Sequence, residues 1–277
     1  MRYTKMHGAG NSFVLIENRN GELQGINPGK LALRLCGKNA FNADGLIVVL
    51  PAKNDEDFGM LFYNADGSLG EMCGNGARCI ARYGVEHGLA ENPDCIRIAA
   101  TAGLVTARRI TEDQYEVRLN DPSVIDLHRQ IVIQGKRYDC SYVELGNPGI
   151  PHAVVEITAE EMKDLSGLRE EGRALRHCKD FPKGANVTFA QIMRDGTVKA
   201  ITFERGVEDF TLACGTGCGA TAVTLLLRRR ISENPVKIMM PGGELSVTVG
   251  RSENKIHDIF LQGPTAVLEE GEFEPES

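Results

Sequence analysis

The sequence predicts an α+β protein built of two similar halves. Many short runs rich in Val, Ile, Phe, Tyr and Thr, punctuated by Gly, Pro, Asn or Asp, read as strands. The helical patterns are few and do not alternate strictly with those strands, which disfavours a doubly wound parallel sheet. A segment of eighteen residues then recurs, in outline, 141 positions downstream. The length of 277 residues suits roughly two domains of about 100–200 residues each. With 42% hydrophobic and 25% charged residues the chain can bury a core, which excludes disorder as its main state.

In chain order, strands are expected at 12–17, 45–50, 58–63, 96–100, 115–119 and 138–145, then at 153–157, 186–192, 199–204, 236–239, 245–249 and 258–261. Asp195-Gly196 reads as a hairpin turn between two of them. Helices are expected at 28–36 with Gly37 as a stop, 76–87 with Gly88 as a stop, 159–165, 168–178 and 217–230. Arg228, Arg229 and Arg230 suit a helix C-terminus, where positive charge meets the negative end of the dipole, and read as a solvated cap. The last nine residues hold five Glu and read as a frayed tail.

Charge and cysteine usage narrow the function. A net charge of −7 argues against nucleic acid, because phosphate binding needs a basic face. No apolar run approaches the roughly 20 residues of a membrane span; 220–227 ends at the arginines, and the N-terminus lacks an apolar signal region. The expectation is a soluble, cytoplasmic protein. Eight cysteines (36, 73, 79, 95, 140, 178, 214 and 218) in a chain this long form no secreted disulfide framework, and each by default is a small buried hydrophobe.

The recurrent segment singles out two of them. Phe62 to Ala77-Arg78-Cys79 runs F-Y-N-A-D-G-S-L-G-E-M-C-G-N-G-A-R-C, and the copy from Phe203 runs F-E-R-G-V-E-D-F-T-L-A-C-G-T-G-C-G-A. The Phe-to-Cys spacing is 11 in both, and Asn64 and Arg205 each stand 9 residues before their cysteine. In each copy Cys-Gly-x-Gly opens a helix. The first N–H groups of a helix lack internal partners and carry partial positive charge, which favours a thiolate and lowers its pKa from about 8.5. The glycines admit a ligand close to the backbone, so the amides at 74–76 and 215–217 suit a carboxylate or oxyanion. One such loop suggests a nucleophile. Two suggest an acid and a base on opposite faces of one carbon, which is what inversion of an α-carbon requires, without pyridoxal or metal.

At these residues the chain resembles the diaminopimelate epimerases, a family of cofactor-independent amino-acid epimerases. The resemblance covers nearly the whole length: Lys5-Met6-His7-Gly8-Ala9-Gly10-Asn11, Ala43-Asp44-Gly45, Phe62-Tyr63-Asn64-Ala65-Asp66-Gly67-Ser68 and Cys73-Gly74-Asn75-Gly76-Ala77-Arg78-Cys79. Pro151-His152, Asn186-Val187, Phe203-Glu204-Arg205-Gly206, Ala213-Cys214-Gly215-Thr216-Gly217 and Pro241-Gly242-Gly243 continue it. It implies two pseudo-symmetric α+β domains, 1–118 with 264–277 and 119–263, each a curved, mostly antiparallel sheet around a central helix, with the active site in the cleft between them. It implies epimerisation of LL-2,6-diaminopimelate to the meso form, in lysine and peptidoglycan supply, by a cytoplasmic homodimer with no cofactor or metal and no nucleic-acid or membrane partner. Cys73 and Cys214 resemble the two acid/base thiols. Gly74, Asn75, Gly215 and Thr216 resemble the anchor of the reacting carboxylate. Asn11, Asn64, Asn186 and Arg205 resemble further substrate ligands, Arg205 suiting a distal carboxylate through its paired donors. Glu204 and His152 resemble supporting groups able to receive the substrate's amino group.

Two departures stand out. Ser12 follows Asn11 where the family usually has Asp, and the family's Gly-Asn-Pro-His stretch is here Gly146-Asn147-Pro148-Gly149-Ile150-Pro151-His152. Either Ile150 occupies the position of a distal Asn ligand, or three residues are inserted before His152. The alternative that follows is the same chemistry on another amino acid. A redox or metal switch is a third reading, but the gaps among Cys73, Cys79, Cys214 and Cys218 suit zinc poorly. Cys79 and Cys218 read as core. Gly215 to Ala220 fits the loose dinucleotide pattern without its downstream acid. Each ligand also has a plainer use: Arg205 in an ion pair with Glu208, His152 as a core histidine, and Asn64, Asn75 and Asn186 in turns. His7, Asp44 and Asp66 read as structural.

Overall fold

Strand recurrence in the sequence becomes recurrence of topology in three dimensions. The computed structural model describes residues 1–70, 73–133, 135–253 and 255–274. The chain divides into two units, Met1–Arg118 with Gln262–Ser277, and Leu119–Leu261.

In the first unit β1 (Arg2–Gly8) and β2 (Asn11–Glu17) form a hairpin closed by Ala9-Gly10. Both turn residues have positive φ, 49° and 88°, the geometry whose twist matches the flanking strands. After α1 (Pro28–Leu35), β3 (Gly45–Leu50) lies parallel to β2 and antiparallel to β4 (Phe58–Asn64). The short β5 (Leu69–Gly70) returns along β4 and leads to α2 (Gly74–Glu86). Then β6 (Ile96–Ala100) pairs parallel with β4, and β7 (Gly103–Arg109) and β8 (Gln114–Leu119) follow antiparallel.

The second unit repeats this sequence of moves. Antiparallel β9 (Pro122–Ile133), β10 (Lys136–Gly146) and β11 (Gly149–Glu156) are followed by α3 (Leu165–Arg176) and by β12 (Asn186–Ile192), parallel to β11. Antiparallel β13 (Val198–Phe203) and the short β14 (Phe210–Thr211) lead to α4 (Gly215–Leu227). Then β15 (Val236–Met240) lies parallel to β13 and antiparallel to β16 (Gly243–Ser252). After β17 (Lys255–Pro264) the chain returns to the first unit, where β18 (Ala266–Glu272) pairs antiparallel with β1.

Side-chain alternation decides what each sheet face meets. In the first unit Val14, Ile16, Leu46 and Val48 pack on Leu31 and Leu35 of α1, while Phe13 and Ile47 face the start of α2. In the second, Ala153, Val155, Val187, Phe189, Ile201 and Phe203 pack with Leu168 and Leu175 of α3. The alternate residues, including His152, Asn186, Thr188, Thr202 and Glu204, therefore fall on the α4 side. α4 buries nine of its thirteen residues, as a helix central to its sheet must.

Several sequence expectations are corrected. The 159–165 segment is a 3₁₀ turn at Glu161–Lys163, because Asp164 starts a new helix instead of continuing one: its carboxylate accepts from the N–H of Gly167 at 2.9 Å. α2 and α4 begin two residues earlier than expected, at Gly74 and Gly215, so each cysteine is itself the N-cap. β1, β7, β9 and β18 and the two-residue β5 and β14 were absent from the expected strands, their alternation being weak or diluted by charge. The acidic C-terminal stretch is no frayed tail up to Glu272: Arg2 and Tyr3 on β1 donate to Glu272 and Glu269. Residues 275–277 lie outside the described residues. Arg228 is the C-cap residue of α4, and the N–H groups of Arg228, Arg229 and Arg230 bond carbonyls of its last turn, while the side chains of Arg228 and Arg230 form ion pairs with Asp139 and Glu156. Among the described residues no helix is long and apolar enough to cross a membrane.

Candidate functional site

The first cysteine loop is assembled by the β1–β2 hairpin and the start of α2. Cys73 caps α2 in extended backbone, φ −131° and ψ 115°, with no side-chain cap hydrogen bond. Gly8 lets the two elements touch: a Cβ there would stand 2.9 Å from the Asn75 carbonyl oxygen and 3.3 Å from the Cys79 sulfur. That approach places Asn11, the first residue of β2, against Asn75, whose Nδ2 donates to Asn11 Oδ1 at 2.7 Å. Cys73, Gly74, Asn75 and Asn11 thus form one group. Asn64, at the end of β4, spends its Nδ2 on Ser68 Oγ at 2.9 Å and so also serves its turn. Asp66 and Asp44 accept from the N–H groups of Ser68 and Ser12 at 2.9 and 2.7 Å. The latter bond explains what Ser12 contributes, through backbone alone.

The second loop has the same backbone entry. Cys214 caps α4 with φ −124° and ψ 104°, again without a side-chain cap bond. Beneath it the two loops differ. A Cβ on Gly76 would meet Ile47 Cδ1 at 3.2 Å, an apolar floor; one on Gly217 would meet Thr188 Oγ1 and Thr202 Oγ1, each at 3.1 Å, and the Cys214 sulfur at 3.2 Å. The two threonine hydroxyls bond each other at 2.9 Å, so the floor under Cys214 is polar but satisfied. Cys214 also has Thr216 Oγ1 at 3.8 Å and the charge of the Glu204 carboxylate nearby, which accepts from Thr211 Oγ1 at 3.1 Å.

His152 and Asn186 sit opposite each other in the parallel β11–β12 register. Asn186 Oδ1 accepts from the Arg205 N–H at 2.7 Å, and its Nδ2 donates to the Pro151 carbonyl at 3.4 Å. One buried amide therefore fixes both the His152 strand and the Arg205 loop. The Arg205 side chain is exposed and donates to the Lys183 carbonyl at 3.1 Å. Glu208 pairs with Arg176 and His177, so the ion pair offered as the plain use of Arg205 is not formed. The β10–β11 hairpin turns at Asn147-Pro148, leaving Asn147 exposed at its tip. Ile150, two residues before His152 on the same strand, shares its face.

Electrostatics separate these groups. The sequence predicts lowered thiol pKa values, but Cys214 is raised well above the ordinary value. Burial is the largest cause and the Glu204 carboxylate adds to it; the Gly217 N–H and Thr216 hydroxyl oppose them without winning. Burial also raises Glu204, against the hydrogen bonds from Thr211 and Cys214. His152 is wholly buried with both ring nitrogens unpartnered, and burial, with the Arg205 charge, pushes its pKa down to about 3. It stands as a neutral imidazole. Among the described residues no three His, Cys, Asp or Glu are placed to hold a metal ion.

Sequence reasoning missed Arg78, Thr188, Thr202 and Thr211. Arg78, five residues after Cys73, has 0% of its surface exposed and donates to Gly74 O at 3.3 Å and to Asn75 Oδ1 at 2.8 Å. A charged residue amid an otherwise small and apolar helix start was the available signal. The threonines fall on strand positions whose facing side only the fold reveals. Two open concavities of about 690 and 780 Å³ lie by residues 156–159, 191–196 and 226–234 of the second unit, at the C-terminal end of α4, and contain none of the expected site residues.

Comparison with known proteins gives a consistent answer. The profile of the family described as diaminopimelate epimerase matches residues 3–125 and 145–267. A diaminopimelate epimerase of Aquifex aeolicus (strain VF5) is 34% identical over 286 residues, covering 100% of this chain and 99% of that protein. One of Hydrogenobaculum sp. (strain Y04AAS1) is 34% identical, with 98% of each covered. Among solved structures, a phenazine biosynthesis protein of Bacillus anthracis superposes with a TM-score of 0.74 at 12% identity, covering 99% of both chains. A probable proline racemase of Agrobacterium radiobacter K84 gives 0.70 at 18% identity, covering 99% of this chain and 93% of that one. At those identities the structures speak for the fold alone.

Proposed function

The chain belongs to the diaminopimelate epimerase family, and from that premise we propose that it interconverts LL- and meso-2,6-diaminopimelate by two-base proton transfer. The observation that carries the reading is the pair of cysteines, Cys73 and Cys214, each the N-cap of its helix with nearly the same backbone angles. One sulfur, as thiolate, takes the α-proton. The other, as thiol, gives a proton to the opposite face of the same carbon, and the pair ends with its roles exchanged. The carboxylate gathers negative charge as the proton leaves. Amides of Gly74, Asn75, Gly215 and Thr216 at the two helix starts stabilise it more in the transition state than in the ground state.

The remaining residues bind and bias. Burial, and after it the charge of the nearby Glu204 carboxylate, keeps Cys214 protonated in the free enzyme, so Cys214 starts as the thiol. His152, neutral and with both ring nitrogens unpartnered, accepts a hydrogen bond from the substrate's ammonium, which keeps its proton. Arg205, held by Asn186, takes the distal carboxylate; Asn11 and Asn64 complete the ligands. The first unit supplies one thiol and the second the other, as the two epimerase domains. Product would feed lysine and peptidoglycan synthesis in the cytoplasm, with the enzyme acting as a homodimer; light scattering gives the oligomer directly.

The test is proton NMR of LL-diaminopimelate with the fully reduced chain in D2O. Deuterium at one α-carbon together with appearance of the meso form is the expected result. No exchange with that substrate, but exchange with an amino acid lacking the distal carboxylate, transfers the chemistry to another substrate; Ile150 on the face of His152 is the feature that favours that second reading. No exchange with any amino acid overturns the two-base proposal.

A further inference from the structure

Arg78 is the least accessible charged side chain in the first unit, and it sits behind the amide pair that borders Cys73. A guanidinium has donors only. The Asn75 amide must therefore turn its oxygen toward Arg78, where Oδ1 accepts from Nη2 at 2.8 Å. That choice leaves the Asn75 Nδ2 pointing at Asn11, so Asn11 must in turn present its oxygen, which accepts at 2.7 Å. Asn11 then has its own Nδ2 left over. It is half-exposed and makes no hydrogen bond among the described residues.

We propose that Arg78 sets the polarity of this relay, so that the Asn11 side of the site presents N–H donors to an acceptor group of the substrate, a carboxylate oxygen. An asparagine amide is nearly symmetric in shape but opposite in polarity at its two ends, and either orientation packs equally well. Without a donor-only group at the base, both amides are free to flip together and show the substrate an oxygen. The packing that transmits the choice is tight. Gly8 holds the hairpin against the Asn75 carbonyl, and Arg78 Nη1 is fixed to Gly74 O within the same helical turn. Arg78 is a positioning residue: it acts through Asn75 and Asn11 and touches no substrate. The inference rests on the proposed role of Asn11 as a substrate ligand.

Steady-state kinetics of the full chain with LL-diaminopimelate test it, alongside thermal unfolding. Asn75→Asp keeps an acceptor for Arg78 but turns a second acceptor on Asn11, reversing the Asn11 amide. KM is expected to rise about 10-fold or more, the range for a lost hydrogen bond to a charged group, with the unfolding midpoint retained. On an Asn11→Ala background the same change should add no further rise, because the relay acts only through Asn11, whereas repulsion by the new buried carboxylate alone would still add its own. Arg78→Lys, still donor-only, should retain a lower KM than Arg78→Gln, which can face Asn75 with either end. Equal KM for the Lys and Gln variants, or an Asn75→Asp effect that persists in full on the Asn11→Ala background, overturns the relay. Asn11→Ala separates the two failures. An unchanged KM there means Asn11 is no ligand and the underlying reading falls; a raised KM with an unaffected Asn75→Asp enzyme leaves that reading and removes the relay.

Discussion

His152 makes the folded protein sensitive to mild acid. It is fully buried with both ring nitrogens unpartnered, and its folded pKa is about 3 against 6.5 for the free side chain. As pH falls, the unfolded chain takes the proton first. The stability contributed by the neutral imidazole is therefore complete above pH 6.5 and is lost progressively toward pH 3. Over the whole window the loss is about 5 kcal/mol, and between pH 7 and 5 it is about 2 kcal/mol. His152→Leu removes the titrating group without removing a hydrogen bond, since the imidazole makes none. Urea unfolding at pH 7 and pH 5, followed by far-UV circular dichroism, should show the parent losing about 2 kcal/mol more than the variant. Carboxylates elsewhere titrate equally in both proteins and cancel in the difference. A difference below about 0.5 kcal/mol would mean that His152 takes a proton in the folded state with ease, and the argument from burial would be wrong.

Three further outcomes follow from named contacts. Glu204→Gln removes the carboxylate that helps hold Cys214 protonated, so Cys214 should react faster with iodoacetamide at a fixed neutral pH; peptide mapping reads the site, and an unchanged rate would leave burial as the whole cause. Gly217→Ala forces a methyl against Thr188, Thr202 and the Cys214 sulfur, with a stability loss of about 1–3 kcal/mol and a larger proportional fall in kcat than in KM. Asn186→Ala unties Arg205 from the His152 strand; KM should rise and stability fall by about 1–3 kcal/mol, and retention of KM would separate Arg205 from substrate binding.

Much of the fold was legible because it is local. The Phe62 and Phe203 segments carry the same spacing into the same strand–loop–helix unit, and the surrounding strands follow the same order of parallel and antiparallel pairings in both units. β18 was hidden because its partner is distant in sequence, its backbone pairing with β1 overriding a charged composition, whereas β9 pairs with the adjacent β10 but shows a mostly exposed pattern with little alternation. The cysteines, Gly74, Asn75, Gly215 and Thr216 could be read from the motif. What each neighbour does could not: Asn64 and Asn186 turn out to hold backbone as well, and Ile150 shares a strand face with His152 only because the hairpin turns at Asn147-Pro148.

The sequence by itself determined that each Cys-Gly-x-Gly loop opens a helix, since a helix start depends on a few consecutive residues; the structure then moved each start two residues earlier, making the cysteine itself the N-cap. The sequence also determined the likeness of the two halves, which is a matter of spacing. Tertiary structure alone decided that the two loops are electrostatically unlike. Ile47 lies under one and a threonine pair under the other, with Glu204 against Cys214 and Arg78 behind Asn75. Burial and charge proximity depend on residues far apart in the chain, and a helix start that favours a thiolate in isolation is overruled once its sulfur is desolvated beside a carboxylate.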